Sequence, residues 1–253
     1  MRSPKRYTEV TIGNKQFNSD SLDIDFLVEF DSDPEPNVAE VSLWNPSVDT
    51  ISQVKKGTPV ILNAGRDGDI GVLISGTVGN FEVIDGDVDT ELKLYVGDGL
   101  NAWATVIKKS YNNAKASFIA KDLMTLAGLS GKIDLGKDIT YTQVVFNGPL
   151  KGAVTKVAKD TNSKFYIKNG QGFIVKRDFK ENSIFVLNKN SGLVGRPERV
   201  EVDEKPGYRV NCLLQHRINV GSYVRIESKR VNGDFRVVKG KHSEQTELEV
   251  LPI

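Results

Sequence analysis

The 253-residue sequence is poor in reactive side chains, with one cysteine, two histidines and two methionines. A lone Cys212 excludes an intramolecular disulfide framework. In GYRVNCLLQ, Tyr208, Val210, Cys212 and Leu214 share one face of an extended run, so Cys212 is expected to be a small buried hydrophobe. His216 and His242 have neither an H-x-x-x-H spacing nor a paired cysteine, so no metal is expected and both are read as surface or loop histidines. No apolar run approaches the roughly 20 residues of a membrane helix, which excludes insertion by one. The basic start MRSPKRYTEV has no apolar stretch behind it, so no signal peptide is expected and synthesis is placed in the cytoplasm. An excess of one charge is lacking too: 34 Lys and Arg face 33 Asp and Glu, which argues against a dedicated nucleic-acid binder.

Catalytic patterns are equally scarce. GRDGDIG and GDGLNAW contain glycines but lack the G-x-G-x-x-G order and the following helix that cradle a phosphate. The acidic stretch DGDVDTE (85–91) alternates Asp85, Asp87, Asp89 and Glu91. It misses the glycine and the distal glutamate of a calcium loop, and a solvated hairpin turn accounts for it. No catalytic set emerges, no cofactor is implied, and the chain is not expected to be an enzyme.

What is present is alternation. In LDIDFLVEF, Leu22, Ile24, Phe26, Val28 and Phe30 fall on one face, with Asp23, Asp25 and Glu29 on the other, the period of a half-buried strand. DSDPEPN breaks the run, and NVAEVSLWN, TPVILNAG, IGVLISGTV, FEVI and ELKLYV follow as short strands of an antiparallel barrel or sandwich. The middle changes period. ASFIAKDLMTLAGL places Phe118, Ile119, Leu123 and Leu126 at helical spacing, with Ser117 as cap and Gly128 as stop. GPLKGAVTKVAKDTN repeats this with Leu150, Ala153, Val154, Val157 and Ala158 behind Pro149. KFYIK and GFIVKR flank Asn169-Gly170-Gln171 as a hairpin, while LNAWATVIK is read as a strand. Strands return in IFVLN, RVEV, YRVNCLL and TELEVLP, and YVRIES and DFRVV are expected to pair around an Asn232-Gly233 type I′ turn. The predicted fold is therefore mainly β with an α+β insertion. Residues 1–109 form an N-terminal barrel-like domain, 110–180 a small helix-containing middle domain, and 181–253 a C-terminal β segment completing a second barrel-like unit.

Through SGLVGRPERVEV, GYRVNCLLQHRINVGSYVRIES, NGDFRVVKGKH and TELEVLP, the C-terminal third resembles phage tail and baseplate hub proteins, a late-control-protein-D-like family related to the hubs of contractile injection systems. Gly192, Leu193, Gly195 and Pro197 match the family's Gly-Leu-hydrophobic-Gly-x-Pro opening, and Leu213 and Leu214 the following strand end. Gly221 and Ser228 match a turn, and Gly233, Phe235, Val237 and His242 the closing strand. Val220 stands where many relatives have Pro, and a tryptophan frequent near the final strand is missing. The two helical stretches are similar to the inserted domain of the same hubs.

The resemblance implies a homotrimer whose two barrel-like units per chain make a pseudo-sixfold ring. Such a ring joins a hexameric tail tube protein to a threefold spike or tail-fibre protein. Its passage admits tape-measure protein and DNA without membrane insertion, in a virion tail assembled in the bacterial cytoplasm. The hairpin strands are then the expected subunit contact, through Tyr223, Val224, Ile226, Phe235, Val237 and Val238. The alternative is a carbohydrate- or receptor-binding β module of a tail tip, with Trp44, Trp103 and Tyr111 lining a groove.

Overall fold

The structure, a computed structural model, describes residues 6–31, 37–66, 68–97, 105–168, 171–177 and 184–253. Its first strands are β1 (Arg6–Ile12), β2 (Lys15–Asn18), β3 (Ile24–Phe30) and β4 (Val38–Trp44). After a short helix, α1 (Val48–Gln53), come β5 (Pro59–Arg66), β6 (Asp69–Asp85) and β7 (Thr90–Gly97). Alternation sets their orientation: along β3, Ile24, Phe26, Val28 and Phe30 are buried while Asp25 and Glu29 are exposed. The helix α1 starts where the Ser47 hydroxyl accepts a hydrogen bond from the Thr50 N–H at 3.2 Å. These elements close over a first core that includes Val10, Phe26, Leu43, Leu62 and Leu94.

The middle of the chain is a separate compact unit, built from the described residues of Gly97–Phe179. Its strands β8 (Val106–Lys115) and β10 (Thr140–Pro149) form an antiparallel ribbon. Of LNAWATVIK, Val106–Lys108 lie in β8, and residues 100–104 fall outside the described residues. A second sheet sets β12 (Gln171–Lys176) antiparallel to β11 (Ser163–Lys168) and parallel to β9 (Ser130–Asp134). Lys168 pairs with Gln171, so β11 and β12 are the expected hairpin; its Asn169-Gly170 loop falls outside the described residues.

Helix α3 (Leu150–Asp160) buries the five residues that its spacing predicts. Helix α2 (Ala116–Leu126) does not: Ala116, Ile119, Ala120, Leu123 and Met124 are buried, whereas Phe118 is 62% exposed and Leu126 39%. The small alanines let the helix turn its close-packing face inward, and Phe118 instead meets the Tyr111 ring edge-on at 6.5 Å. Ser117 is not the cap either. Its N–H and hydroxyl both donate to the Asp138 carboxylate, so the cap is supplied from outside the helix. Gly128 does end it: with φ of 66°, its N–H reaches the Thr125 carbonyl while the Leu129 N–H reaches that of Met124, a Schellman closure.

Each helix is tied to the ribbon by a tyrosine and an aspartate. Tyr111 on β8 and Lys109 both donate to Asp122 of α2; Tyr141 on β10 and Lys156 both donate to Asp160 of α3. The lysine hydrogen bond is the foremost reason that each carboxyl lies below its ordinary range.

The C-terminal strands are β13 (Ile184–Leu187), β14 (Leu193–Val202), β15 (Lys205–Leu213), β16 (Tyr223–Glu227), β17 (Asn232–His242) and β18 (Gln245–Pro252). With the first seven they make the other compact unit, whose 13 strands form one continuous sheet. The first set runs β3-β4-β7-β6-β5-β1-β2 and the last β14-β15-β18-β17, with β16 and β13 continuing from β17. One strand joins them. The start of β17 pairs with β16 (Glu227↔Asn232 to Tyr223↔Arg236), and its end pairs with β3 (Gly240↔Phe30 to His242↔Val28). A register shift against β18 between Val237 and Lys239 bends the strand where it changes partner. Beneath the last set lies a second core, including Val210, Cys212, Ile226, Phe235 and Leu248. The two cores interlock: Phe30, from β3, packs in the second, and Leu214, just past β15, packs in the first.

The β16–β17 hairpin is present, but its turn is not Asn232-Gly233. Glu227 pairs with Asn232 and Ile226 with Gly233, so both turn candidates lie inside the ladder and the loop is Ser228–Val231. Ser228 makes that loop: its hydroxyl donates to the Val231 carbonyl and accepts from the Val231 N–H, and the Asn232 amide caps the Ser228 carbonyl at 2.8 Å.

Candidate functional site

The six residues expected at a subunit contact lie inside the chain's own structure. Val224, Ile226 and Val237 are fully buried, and Tyr223, Phe235 and Val238 are buried almost as deeply. Packed there, these side chains keep at most 7% of their surface exposed. What β16 and β17 show to solvent is the alternate set, led by Arg225, Glu227 and Lys239.

Much of that polar face is neutralised internally. Arg225 holds both carboxylate oxygens of its cross-strand partner Asp234, at 2.6 and 2.9 Å. On the three strands β15, β18 and β17, Arg209 and Lys239 flank Glu249, and Lys241 pairs with Glu247. Glu249 is 13% exposed; although burial pushes its pKa upward, Arg209 and Lys239 outweigh that and hold it below the ordinary value.

His216 lies in a turn just past β15, as expected of a loop histidine, whereas His242 departs from that expectation. His242 is 1% exposed within β17; its Nδ1 lies 2.9 Å from the Thr246 hydroxyl and its ring 4.8 Å from that of Phe30. His216 sits after β15 with its ring over Gly71, where a Cβ would fall 2.2 Å from a ring carbon, and burial lowers its pKa. Cys212 is buried as expected, and burial pushes its thiol up to about 12, which leaves no thiolate for nucleophilic work. Among the described residues no group of three or more His, Cys, Asp or Glu is arranged to hold a metal. Of the three aromatics expected in a groove, Trp44 ends β4, Tyr111 is buried in the core of the middle unit, and Trp103 falls outside the described residues.

Two exposed features stand out instead. The first is the β6–β7 turn, where the Gly86 N–H donates to the Asp89 carbonyl at 2.9 Å. It is the expected acidic hairpin turn. Residues 82–89 are all exposed, Val88 at its tip by 89%. Asp85 and Asp89 brace the turn through Thr90 and Asn45, whereas Glu82 and Asp87 make no ion pair to a described residue.

The second is a groove of about 820 Å³ between β14 and the Ser228–Val231 loop, lined among others by Lys189, Leu193, Arg196, Pro197, Lys229 and Arg230. Its four cations make no ion pair or hydrogen bond to a described residue, in contrast to the paired charges a few strands away. Arg196 and Pro197 sit in a register break of β14 between Val194 and Glu198, on a strand that pairs only with β15. A bulge, a proline and a cation are what keep such an edge from pairing at random. Sequence reasoning passed over this groove because its cations come from the loop before β14, the bulge within β14 and the Ser228–Val231 loop, and follow no common spacing.

The family model described as baseplate hub gp41 matches residues 37–243, most of the chain. No curated protein matches the chain in sequence. Among solved structures, the 43 kDa tail protein of prophage MuSo2 from Shewanella oneidensis has a similar fold, with a TM-score of 0.75 at 8% identity over 98% of this chain and 97% of that one. A tail protein from Neisseria meningitidis MC58 gives 0.71 at 9% identity, over 97% of this chain and 96% of that one. The E. coli c3393 protein, a type VI secretion component, gives 0.69 at 9% identity, over 96% and 76% respectively.

Proposed function

The chain belongs to the baseplate hub gp41 family, and from that premise we propose that it acts as a trimeric hub, converting the sixfold symmetry of a tail tube into the threefold symmetry of a spike or fibre. It is a structural protein of the phage tail baseplate kind. The observation that carries the finer reading is the single sheet wrapped over two separate cores. One chain thereby offers two β units, and three chains offer six, the number a hexameric tube presents. In this reading the hub is not an enzyme. Its partners are the tube protein on one side and the spike or fibre on the other, with tape-measure protein and DNA passing through its axial opening. The strands β16 and β17 contribute to the subunit contact through their solvent-facing residues and their loop, while the six buried side chains hold those strands in place.

Light scattering on the purified protein tests the trimer. A mass of about 84 kDa, three times the 27.9 kDa chain, is expected, with retention of purified tube protein by the immobilised hub. A chain that stays at 27.9 kDa at every concentration, with and without tube protein, would overturn the ring.

A further inference from the structure

The acidic turn and the basic groove are complementary, and each is left open within its own chain. The turn exposes Glu82 and Asp87, unpaired, beside Asp85 and Asp89, with Val83, Ile84 and Val88 bare between them. The groove offers Lys189, Arg196, Lys229 and Arg230, none of them ion-paired to a described residue, beside a single carboxylate, Glu227, that is held by the Asn188 amide; its floor includes the apolar Leu193 and Pro197. Several charges elsewhere on the same sheet are paired within the chain: Arg225 with Asp234, Lys239 with Glu249, Lys241 with Glu247, Lys93 with Glu40. The turn thus gathers four acidic groups around an apolar tip, and the groove four cations around an apolar floor.

We propose that the acidic β6–β7 turn of one copy seats in the basic groove of the next copy. The inference rests on the trimeric reading and deepens it by naming the contact. The two features are different parts of the chain, so the contact is heterologous. Each copy gives its turn and receives another, and such a contact closes into a ring when its rotation permits. Charge on both sides steers encounter and fixes register, and the apolar tip supplies the dry centre that a salt-screened rim alone lacks. An acidic segment of the same chain is favoured over nucleic acid as the occupant because the groove also holds Leu193 and Pro197, and the turn brings matching aliphatic side chains.

The test is a charge-reversal cycle on the full chain, read as mass against concentration by sedimentation. E82K/D87K reverses the turn while sparing the aspartates that brace it. K229E/R230E reverses the groove while sparing Ser228 and Asn232, which shape the loop. Each variant alone is expected to weaken self-association at least about a hundredfold, since opposed like charges cost several kcal/mol. The four substitutions together restore it. Circular dichroism identical to the parent confirms folding. Should a reversal fail to fold, the neutral sets E82Q/D87N and K229S/R230S are read instead, each expected to weaken assembly about tenfold and more so in low salt.

The outcomes separate cleanly. A parent chain that never self-associates overturns the trimer and with it this contact. A trimer that survives either reversal overturns the contact and leaves the hub reading standing. Loss in both single reversals without rescue in the combination overturns charge pairing as the cause. A groove that still binds a single-stranded 20-mer within the assembled trimer, and loses it in K229E/R230E, shows the groove open to nucleic acid and overturns the seating.

Discussion

The first seven strands and the last six enclose cores of the same kind, yet they meet solvent in opposite ways. The first set buries Val10, Leu43, Leu62 and Leu94 by alternation and ends in an acidic turn; the second buries Val210, Ile226, Leu248 and Val250 by the same alternation and ends in a cationic groove. Interior patterning makes the two halves alike, and their loops make them different. Duplicated architecture needs only aliphatic side chains at every second position, which many sequences satisfy. Opposite surfaces need particular residues in particular turns.

Cutting each core in turn is the severest way to break the comparison. Leu43→Ala and Ile226→Ala each remove a side chain with no exposed surface and are expected to cost about 2–5 kcal/mol. Because β17 is common to both sets, each should lower the melting temperature of the β unit in one calorimetric transition. Two separated transitions would mean the halves unfold independently.

The joint itself comes next. At Gly240, opposite Phe30, an added Cβ would lie 2.4 Å from the Glu247 carbonyl oxygen and 2.6 Å from the Phe30 ring. Gly240→Val is expected to destabilise by about 1–3 kcal/mol through overpacking. Hydrogen exchange should quicken at Val28–Phe30 and stay slow along β16.

The helical unit sharpens the comparison through pH. Asp122 and Asp160 have lowered folded-state pKa values, held down chiefly by Lys109 and Lys156. Their contribution is complete above the unfolded carboxyl pKa of about 3.9 and is lost as pH falls through the lower folded value. Protection factors in α2 and α3, exchange rates corrected for the intrinsic pH dependence of amide exchange, should therefore be level from neutrality to about pH 4 and fall below it. A smaller effect, about 1 kcal/mol, is expected from Asp138→Ala, which uncaps α2, and helicity of the unit measured by circular dichroism should fall with it. Smallest of all, Arg225→Ala removes an exposed pair and should leave the melting temperature unchanged.

The parts of the fold legible in the sequence are those where one residue's environment is set by its own period. The burial of β3 and α3, and the acidic turn at 85–91, follow from spacing alone. The parts that were not legible depend on a partner far along the chain. Asn232-Gly233 looks like a turn until the Ser228 hydroxyl closes the loop four residues earlier. Ser117 looks like a cap until Asp138 supplies one. The hairpin's apolar set, expected at a subunit contact, is buried within the chain itself. The groove's cations, scattered over residues 189–230, carried no periodic signal at all.

The double pairing of β17 also sets the order in which the molecule comes into being. Strand β3 ends at Phe30, and the neighbour that completes its outer edge, residues 240–242, comes from almost the end of the chain. During synthesis the early strands must wait with that edge uncovered through about 200 residues of translation, which at about 5–20 residues per second is some 10–40 seconds. Pairing over so long a loop is slow as well as late. A nascent chain of this protein is thus exposed to mispairing with its neighbours on the same message until residues 240–242 have emerged.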